Sequence, residues 1–222
     1  MQVVEEFLYR LSAGIPLIVH MEIYKDQIYK LHCSGKIPIY FYSQGHYNPI
    51  PKEEAIHIEA DTWIAHSTII INRIHAIWGF SKRVYARQTL CKRIILPESL
   101  EFQRKNHMLV PLRGKYRYGL YRTGELIALA VFSGYRKMKR GEHYRSIEML
   151  RFCYKGNYHV VGGLSKLITT MWRELDPDDL MTYIDQKWSD GRKFEQLGFR
   201  IVGRFEDREK GIYSLKLILK KD

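Results

Sequence analysis

Residues 160–199, VVGGLSKLITTMWRELDPDDLMTYIDQKWSDGRKFEQLGF, decide the fold. Behind Gly162 and Gly163, apolar residues fall at Leu164, Leu167, Ile168, Met171, Trp172 and Leu175. That is the i, i+3, i+4, i+7 spacing of a helix with one buried face. Asp176-Pro177 ends it, because the residue before a proline is pushed out of the helical region. Leu180–Asp185 then reads as a short buried strand. Ser189 or Asp190 is placed to cap a second helix, with Phe194 and Leu197 inward and Gly198 at the C′ position, where glycine takes positive φ at least cost. A glycine turn that opens a helix has chemical meaning. The first N–H groups of a helix lack internal partners and sit at the positive end of its dipole, where they can cradle phosphate. The same two glycines also serve a tight strand-to-helix turn, and these residues alone leave both readings open.

Upstream, KYRYGLYRTGELIALAVFSGYRK (115–137) is a hairpin of two β-rich runs joined through Arg122-Thr123-Gly124-Glu125. SIEMLRFCY (146–154) is a further strand leading through Lys155-Gly156-Asn157 to the glycine turn. Downstream come FRIVGRF (199–205) and GIYSLKLIL (211–219), the latter with Tyr213, Leu215, Leu217 and Leu219 on one face. Strand, strand, strand, helix, strand, helix, strand, strand is the order of an α+β domain with a mixed sheet. RVYARQTLCKRIIL (83–96) reads as a basic strand or linker. It separates this domain, residues 81–222, from a small α/β region, residues 1–80. In the latter, 3–11 is a short helix, IPLIVH (15–20) and KIPIYFYS (36–43) are β-rich runs, and 45–54 is a loop. AIHIEADTW (55–63) is a strand entering a helix that Gly79 ends. His57, Glu59, Asp61 and His66 cluster at that corner and are expected to be surface polar residues; no metal is predicted.

The chain has 222 residues, enough for a sizeable core, and carries 36 Lys and Arg against 24 Asp and Glu, a net charge of +12. The excess is local. Residues 81–145 hold 16 basic and 4 acidic side chains, net +12, whereas residues 1–80 come to −2 and residues 146–222 to +2. A concentrated basic excess is the footprint of a polyanion, so nucleic acid is the expected partner, although a solvated basic face has the same composition. Within it, GYRKMKRGEHYR (134–145) interleaves basic and aromatic residues. Arg136, Lys137, Lys139 and Arg140 are the expected phosphate contacts. Three cysteines without CxxC spacing fit a reducing cytoplasm rather than a disulfide framework. No apolar run reaches the roughly 20 residues that span a membrane.

On these residues the chain resembles the GNAT (Gcn5-related N-acetyltransferase) family over about 115–219. "YGLYRTGELIALAVF" looks like its central hairpin, "HVVGGLSKLI" like its acyl-CoA pyrophosphate loop, and "FEQLGF" like the end of its last helix. The resemblance implies a GNAT-like mixed, mostly antiparallel sheet flanked by helices, with a small N-terminal α/β appendage. It also implies acetyl-CoA or another acyl-CoA as donor, held along Cys153, His159, Gly162, Gly163, Leu164 and Ser165. The family's R/Q-x-x-G-x-G/A motif falls here on His159, Gly162 and Leu164, so its first and last positions differ. Phe194 stands where many members carry the Tyr that protonates the leaving thiolate, a proton Phe does not have.

A closer resemblance, over about 57–204, is to the C-terminal part of phage and mobile-element homing-endonuclease-like proteins, on VVGG-SKL, LRFC, DxxWS-G and LGF in register. Their acidic nuclease strand is absent from residues 1–56. More distantly, "EMLRF" and "YID" look like Mom-type DNA-modifying proteins of phages. That resemblance would put Glu148, Arg151 and Asp185 in the catalytic cleft, Asp185 acting on the acceptor amine. Glu148 and Arg151 lie on opposite faces of a regular strand and share a face only across a bulge. An Arg151–Asp185 structural ion pair is the competing reading, and Trp188 is expected in the core. Two functions follow: an acyl-CoA-dependent N-acyltransferase acting on nucleic acid or a nucleic-acid-associated amine, and a non-catalytic DNA-binding module with a degenerate CoA loop.

Overall fold

Alternating and helical periodicities become nineteen short elements in the computed structural model, which describes residues 2–25, 27–44, 54–136, 143–207 and 212–220. The chain divides into two units. The first comprises Met1–Phe80, Ile184–Arg192 and Gly203–Leu215; the second comprises Ser81–Tyr183, Lys193–Val202 and Lys216–Asp222. The sequence expectation is a region of residues 1–80 and a domain of residues 81–222.

In the first unit, α1 (Gln2–Ser12) turns Val4, Phe7 and Leu11 inward, all at 0% exposure. Phe7 stacks on Phe41 at 5.0 Å and meets Trp63 edge-on at 4.9 Å. Aromatic pairs in such geometry add to the burial of their area. The sheet here runs β1 (His20–Lys25), β2 (Ile28–His32), β3 (Ile39–Tyr42), β4 (Ile56–Glu59), with β3 and β4 parallel. β3 and β4 are buried throughout, whereas β1 is exposed along nearly all its length. The β-rich run at 15–20 is a bend; the strand starts only at His20. Helix α2 (Ala60–Trp78) follows directly and stops at Gly79, φ +88°. Most of the loop expected at 45–54 falls outside the described residues.

The second unit opens with β5 (Lys82–Tyr85), a 3-10 turn (Ala86–Gln88) and β6 (Leu90–Arg93), then α3 (Leu96–Asn106), which the sequence reading did not find. β7 (Tyr116–Arg122) and β8 (Glu125–Phe132) form the expected hairpin. Its two-residue turn has positive φ at Thr123 (47°) and Gly124 (83°), the twist that matches antiparallel strands. β9 (Ser146–Tyr154) pairs antiparallel with β8 and parallel with β11 (Asp179–Asp185). Between them lie β10 (Tyr158–Val161) and α4 (Gly163–Leu175). The latter buries Leu167, Ile168, Met171 and Leu175, as its periodicity predicts. β12 (Arg200–Asp207) and β13 (Ile212–Lys220) complete a seven-stranded sheet of order β12-β13-β11-β9-β8-β7-β6, while β10 and β5 pair parallel in a sheet of their own. The fold is α+β, with a mixed and mostly antiparallel sheet flanked by helices. Tyr213, Leu215 and Leu217 are buried on one face of β13 as expected. The helix expected after Ser189 shrinks to one turn, α5 (Arg192–Glu195), with no buried residue. Four residues are too few to sustain a helix by themselves. No helix among the described residues is long and apolar enough to cross a membrane.

Candidate functional site

The turn into α4 needs glycine twice, for different reasons. Gly162 sits at φ +74°, where a side chain is strained, yet an added Cβ would meet only the Ala86 Cβ at an ordinary 3.6 Å. At Gly163 the reason is steric: a Cβ there would lie 3.0 Å from the Val160 Cβ and 3.2 Å from Cε1 of Tyr154. The Tyr154 hydroxyl donates to the Val160 carbonyl at 3.1 Å and braces the same corner. Lys166 N donates to the Gly162 carbonyl at 3.0 Å. The amides of Gly163, Leu164 and Ser165 precede that first helical bond and point out of the helix end. Gly162 and Ser165 are exposed and Leu164 is half-buried.

Around this helix end the charge is positive. Burial pushes the His159 imidazole below its ordinary pKa, and the Lys193 and Arg83 cations push it further the same way. His159 is therefore neutral near pH 7, and the positive charge beside it is that of Lys193 and Arg83. Lys166 is occupied elsewhere: its ammonium donates to the Ala86 carbonyl at 2.9 Å and to the Thr89 carbonyl, tying the 3-10 turn to α4.

β9 and β11 hold parallel register from Ser146↔Asp179 to Met149↔Thr182, and there the pairing stops although both strands run on. Thr182 Oγ1 closes the last rung by donating to the Met149 carbonyl at 3.1 Å. On the opposite edge β9 carries a bulge. Val131 faces Arg151 and Phe132 faces Met149, leaving Leu150 as the extra residue. One extra residue inverts the alternation, so Glu148 and Arg151 share a face, as the cleft reading requires.

Those two residues are held differently. Glu148 pairs with Arg136 at 3.2 Å, and the Arg136 guanidinium also reaches Met181 Sδ at 3.2 Å. Arg151 donates to the Val110 carbonyl (3.3 and 3.1 Å) and to its neighbour Leu150 (2.7 Å), so carbonyls rather than a carboxylate orient it. Desolvation lowers the Arg151 pKa, with the Cys153 and Glu148 charges opposing, and a guanidinium so perturbed stays cationic. Cys153, expected against the donor, is 8% exposed and packs with Ile94, Phe102, Leu129 and Val131 beneath α3. Its thiol belongs to the core, leaving only its main chain to face a ligand. Of the four expected phosphate contacts, Arg136 is engaged by Glu148, and Lys137, Lys139 and Arg140 lie outside the described residues.

Asp185 belongs to the first unit, at the end of β11. Its Oδ1 accepts from Lys187 N at 2.9 Å. Lys187 Nζ in turn pairs with Glu59 Oε1 at 2.9 Å, with side chains only 15% and 11% exposed. Arg73 lies 4.4 Å over the Trp188 ring, which is 8% exposed, as expected of a core residue. The surrounding protein desolvates Asp185 and raises its pKa above the usual carboxylate value. The Lys187 amide and the Lys187 and Arg73 charges oppose that rise, and Glu59 adds to it. Asp185 nonetheless remains exposed to solvent. His57 and Glu59, expected at the surface, are 4% and 9% exposed: His57 Nδ1 bonds the Tyr42 hydroxyl at 2.9 Å, and Glu59 holds Lys187. Both point into the unit because β4 is buried on both faces. Phe194 is half-buried edge-on against Phe199, at 5.5 Å.

Arg83, Tyr85 and Arg87, of β5 and the following turn, stood in the sequence only as part of the basic 83–96 segment; the structure leaves all three exposed.

No protein-family model matches the chain, and no curated protein matches it by sequence. Among solved structures, it is similar to the ribosomal-protein-S18-alanine N-acetyltransferase of Escherichia coli (13% identity, TM-score 0.46, covering 60% of this chain and 93% of that one). It is similar to Naa50 of Arabidopsis thaliana in complex with a CoA bisubstrate analogue (10%, 0.47, 60% and 99%). It is similar also to FeeM, an N-acyl amino acid synthase from uncultured soil microbes (15%, 0.46, 60% and 91%).

Proposed function

We propose that this chain is a GNAT-like N-acyltransferase that takes its acyl group from acyl-CoA, works in a reducing cytoplasm, and acts on an amine of nucleic acid or of a nucleic-acid-associated molecule. One observation carries the reading: β9 and β11 stop pairing after Met149 and Thr182 while both continue. That leaves β9 main-chain groups beyond Leu150 available to an extended amide-bearing ligand, on the strand that leads through β10 to the glycine turn opening α4. A pantetheine arm has amides to pair with a free strand edge, and a pyrophosphate suits a helix N-terminus flanked by cations.

Gly163, Leu164 and Ser165 would hold the pyrophosphate through main-chain N–H groups, with Gly162 setting the turn and His159 a neutral spacer. Arg151, oriented by the Val110 carbonyl, and Glu148 occupy one face of the bulged strand. There a guanidinium would steady the acyl carbonyl and a carboxylate the approaching amine. Asp185, its basicity raised, is the residue proposed to take the amine proton. Phe194 has no proton to give, so the departing thiolate takes one from water or from the amine itself. The in-register VVGG-SKL and LRFC resemblance and the basic 81–145 segment support a nucleic-acid acceptor.

Thermal unfolding with millimolar acetyl-CoA tests this directly. A ligand at about 100 times its dissociation constant adds about 2.7 kcal/mol, several degrees for a chain of this size. No rise with acetyl-CoA, alongside a rise with DNA, would favour the second reading, a binding module whose loop departs from the motif at His159 and Leu164.

A further inference from the structure

β5 carries a row of outward cations and aromatics. Val84 and Ala86 turn inward at 0% and 9% exposure, so Arg83, Tyr85 and Arg87 turn out. The guanidinium carbons of Arg83 and Arg87 lie 5.9 and 5.2 Å from the Tyr85 ring centroid, and Tyr85 remains 43% exposed. On the other side of β5, Lys82 Nζ lies 5.2 Å from the ring of Tyr158, whose hydroxyl donates to Glu125 at 2.8 Å, so that pair is tied to a carboxylate and stands outside the row. Lys193 adds a further cation close enough to act on His159 together with Arg83.

Neighbouring cations of the second unit are neutralised: Arg93 by Glu174, Lys155 by Glu125, Arg145 by Asp176. Among the described residues Arg83, Arg87 and Lys193 have no such carboxylate. An exposed cation–π contact is worth only about 0.5–1 kcal/mol. It leaves two guanidiniums repelling each other around one ring, with no carboxylate paired to either among the described residues. An anion placed between them removes that repulsion, and a flat ligand uses the exposed ring.

We propose that the row Arg83–Tyr85–Arg87, with Lys193 beside it, is a binding surface for single-stranded nucleic acid, with guanidiniums on phosphates and an unstacked base on Tyr85. A single strand fits because only unpaired bases offer a free face to an aromatic ring. Cations on both sides of one exposed ring suit successive phosphates with a base between them. This surface rests on the proposed function and gives its nucleic-acid acceptor a contact besides the catalytic residues, yet it is measured independently of acyl-CoA binding.

The test is fluorescence anisotropy of a labelled single-stranded oligonucleotide, titrated with the full chain at several salt concentrations. Losing two phosphate contacts in Arg83→Ala/Arg87→Ala lowers the slope of log affinity against log salt by about 1.4. Tyr85→Ala weakens binding about tenfold with the slope unchanged, and Tyr85→Phe restores it. An unchanged slope in the double variant, or wild-type affinity in Tyr85→Ala, overturns the proposal; so does a preference for blunt duplex that ignores Tyr85. Acetyl-CoA thermal shifts of the same variants separate the two readings. If Arg83→Ala/Arg87→Ala loses the acetyl-CoA shift but keeps oligonucleotide affinity, the row belongs to the acyl donor and this proposal falls. If the unmodified protein shows no acetyl-CoA shift but the oligonucleotide results hold, the acyl-CoA reading falls and the surface stands.

Discussion

The charged residues of the two units are arranged in opposite ways. Around Asp185 the first unit closes its charges on themselves: Lys187 on Glu59, the Lys187 amide on Asp185, Arg73 on the Trp188 ring. Along β5 the second unit holds Arg83 and Arg87 around an exposed Tyr85 and, among the described residues, gives them no carboxylate. Buried charges must be paired because desolvation is expensive, whereas exposed cations are tolerated without partners. A closed network therefore reports on stability, whereas an open row leaves charge available to the ligand proposed for it. The 134–145 loop, equally basic in sequence, shows why composition alone misleads: its Arg136 is paired with Glu148.

The sharpest way to break this contrast is Lys187→Ala, which strips a cation from a largely buried pair. It is expected to cost about 3 kcal/mol in denaturant unfolding. Arg83→Ala, on the open row, should stay within about 0.5 kcal/mol of the parent. Equal losses would mean that the row is as structural as the network.

Gly163→Val comes next. With the Val160 Cβ 3.0 Å from the added Cβ position, overpacking costs about 2 kcal/mol, and the acetyl-CoA shift should vanish with it. Gly162→Ala tests the conformational half of the turn. Positive φ there costs about 1 kcal/mol without a steric clash, so some acetyl-CoA response should survive.

A smaller effect concerns pH. His159 is depressed below its ordinary value of 6.5 in the folded chain, so as pH falls below about 6.5 the unfolded chain takes up the proton first. Stability is complete above that pH and declines below it, until the folded pKa is passed. His159→Gln should flatten the acid limb of the stability profile, as read by denaturant midpoints across pH. Asp185 has the opposite sign: its carboxyl is raised, so its ionised form weakens the fold at neutral pH. Asp185→Asn should leave the midpoint unchanged or slightly higher, and should abolish acyl transfer if Asp185 takes the amine proton.

Local patterns made α4, the β7–β8 hairpin, β9 and β11 legible, because each is specified by periodicity and turn residues within a dozen positions. The bulge that unites Glu148 with Arg151 was required by the cleft reading, but only the β8–β9 register located it at Leu150. β1 was missed because an almost wholly exposed strand lacks the apolar alternation that marks strands. α5 was overestimated because a cap, two apolar residues and a glycine describe a one-turn helix as well as a longer one.

The sequence by itself determined an α+β chain, a glycine-opened helix and where the positive charge is concentrated. Only the tertiary structure decided which charges are free. It paired β5 with β10 across more than seventy residues of chain, turning R-V-Y-A-R into an outward row beside His159. It also buried His57 and Glu59 and gave Arg136 a carboxylate. Coulomb attraction and desolvation depend on distances in space, and one-dimensional spacing fixes those only within a helix turn or a strand pair.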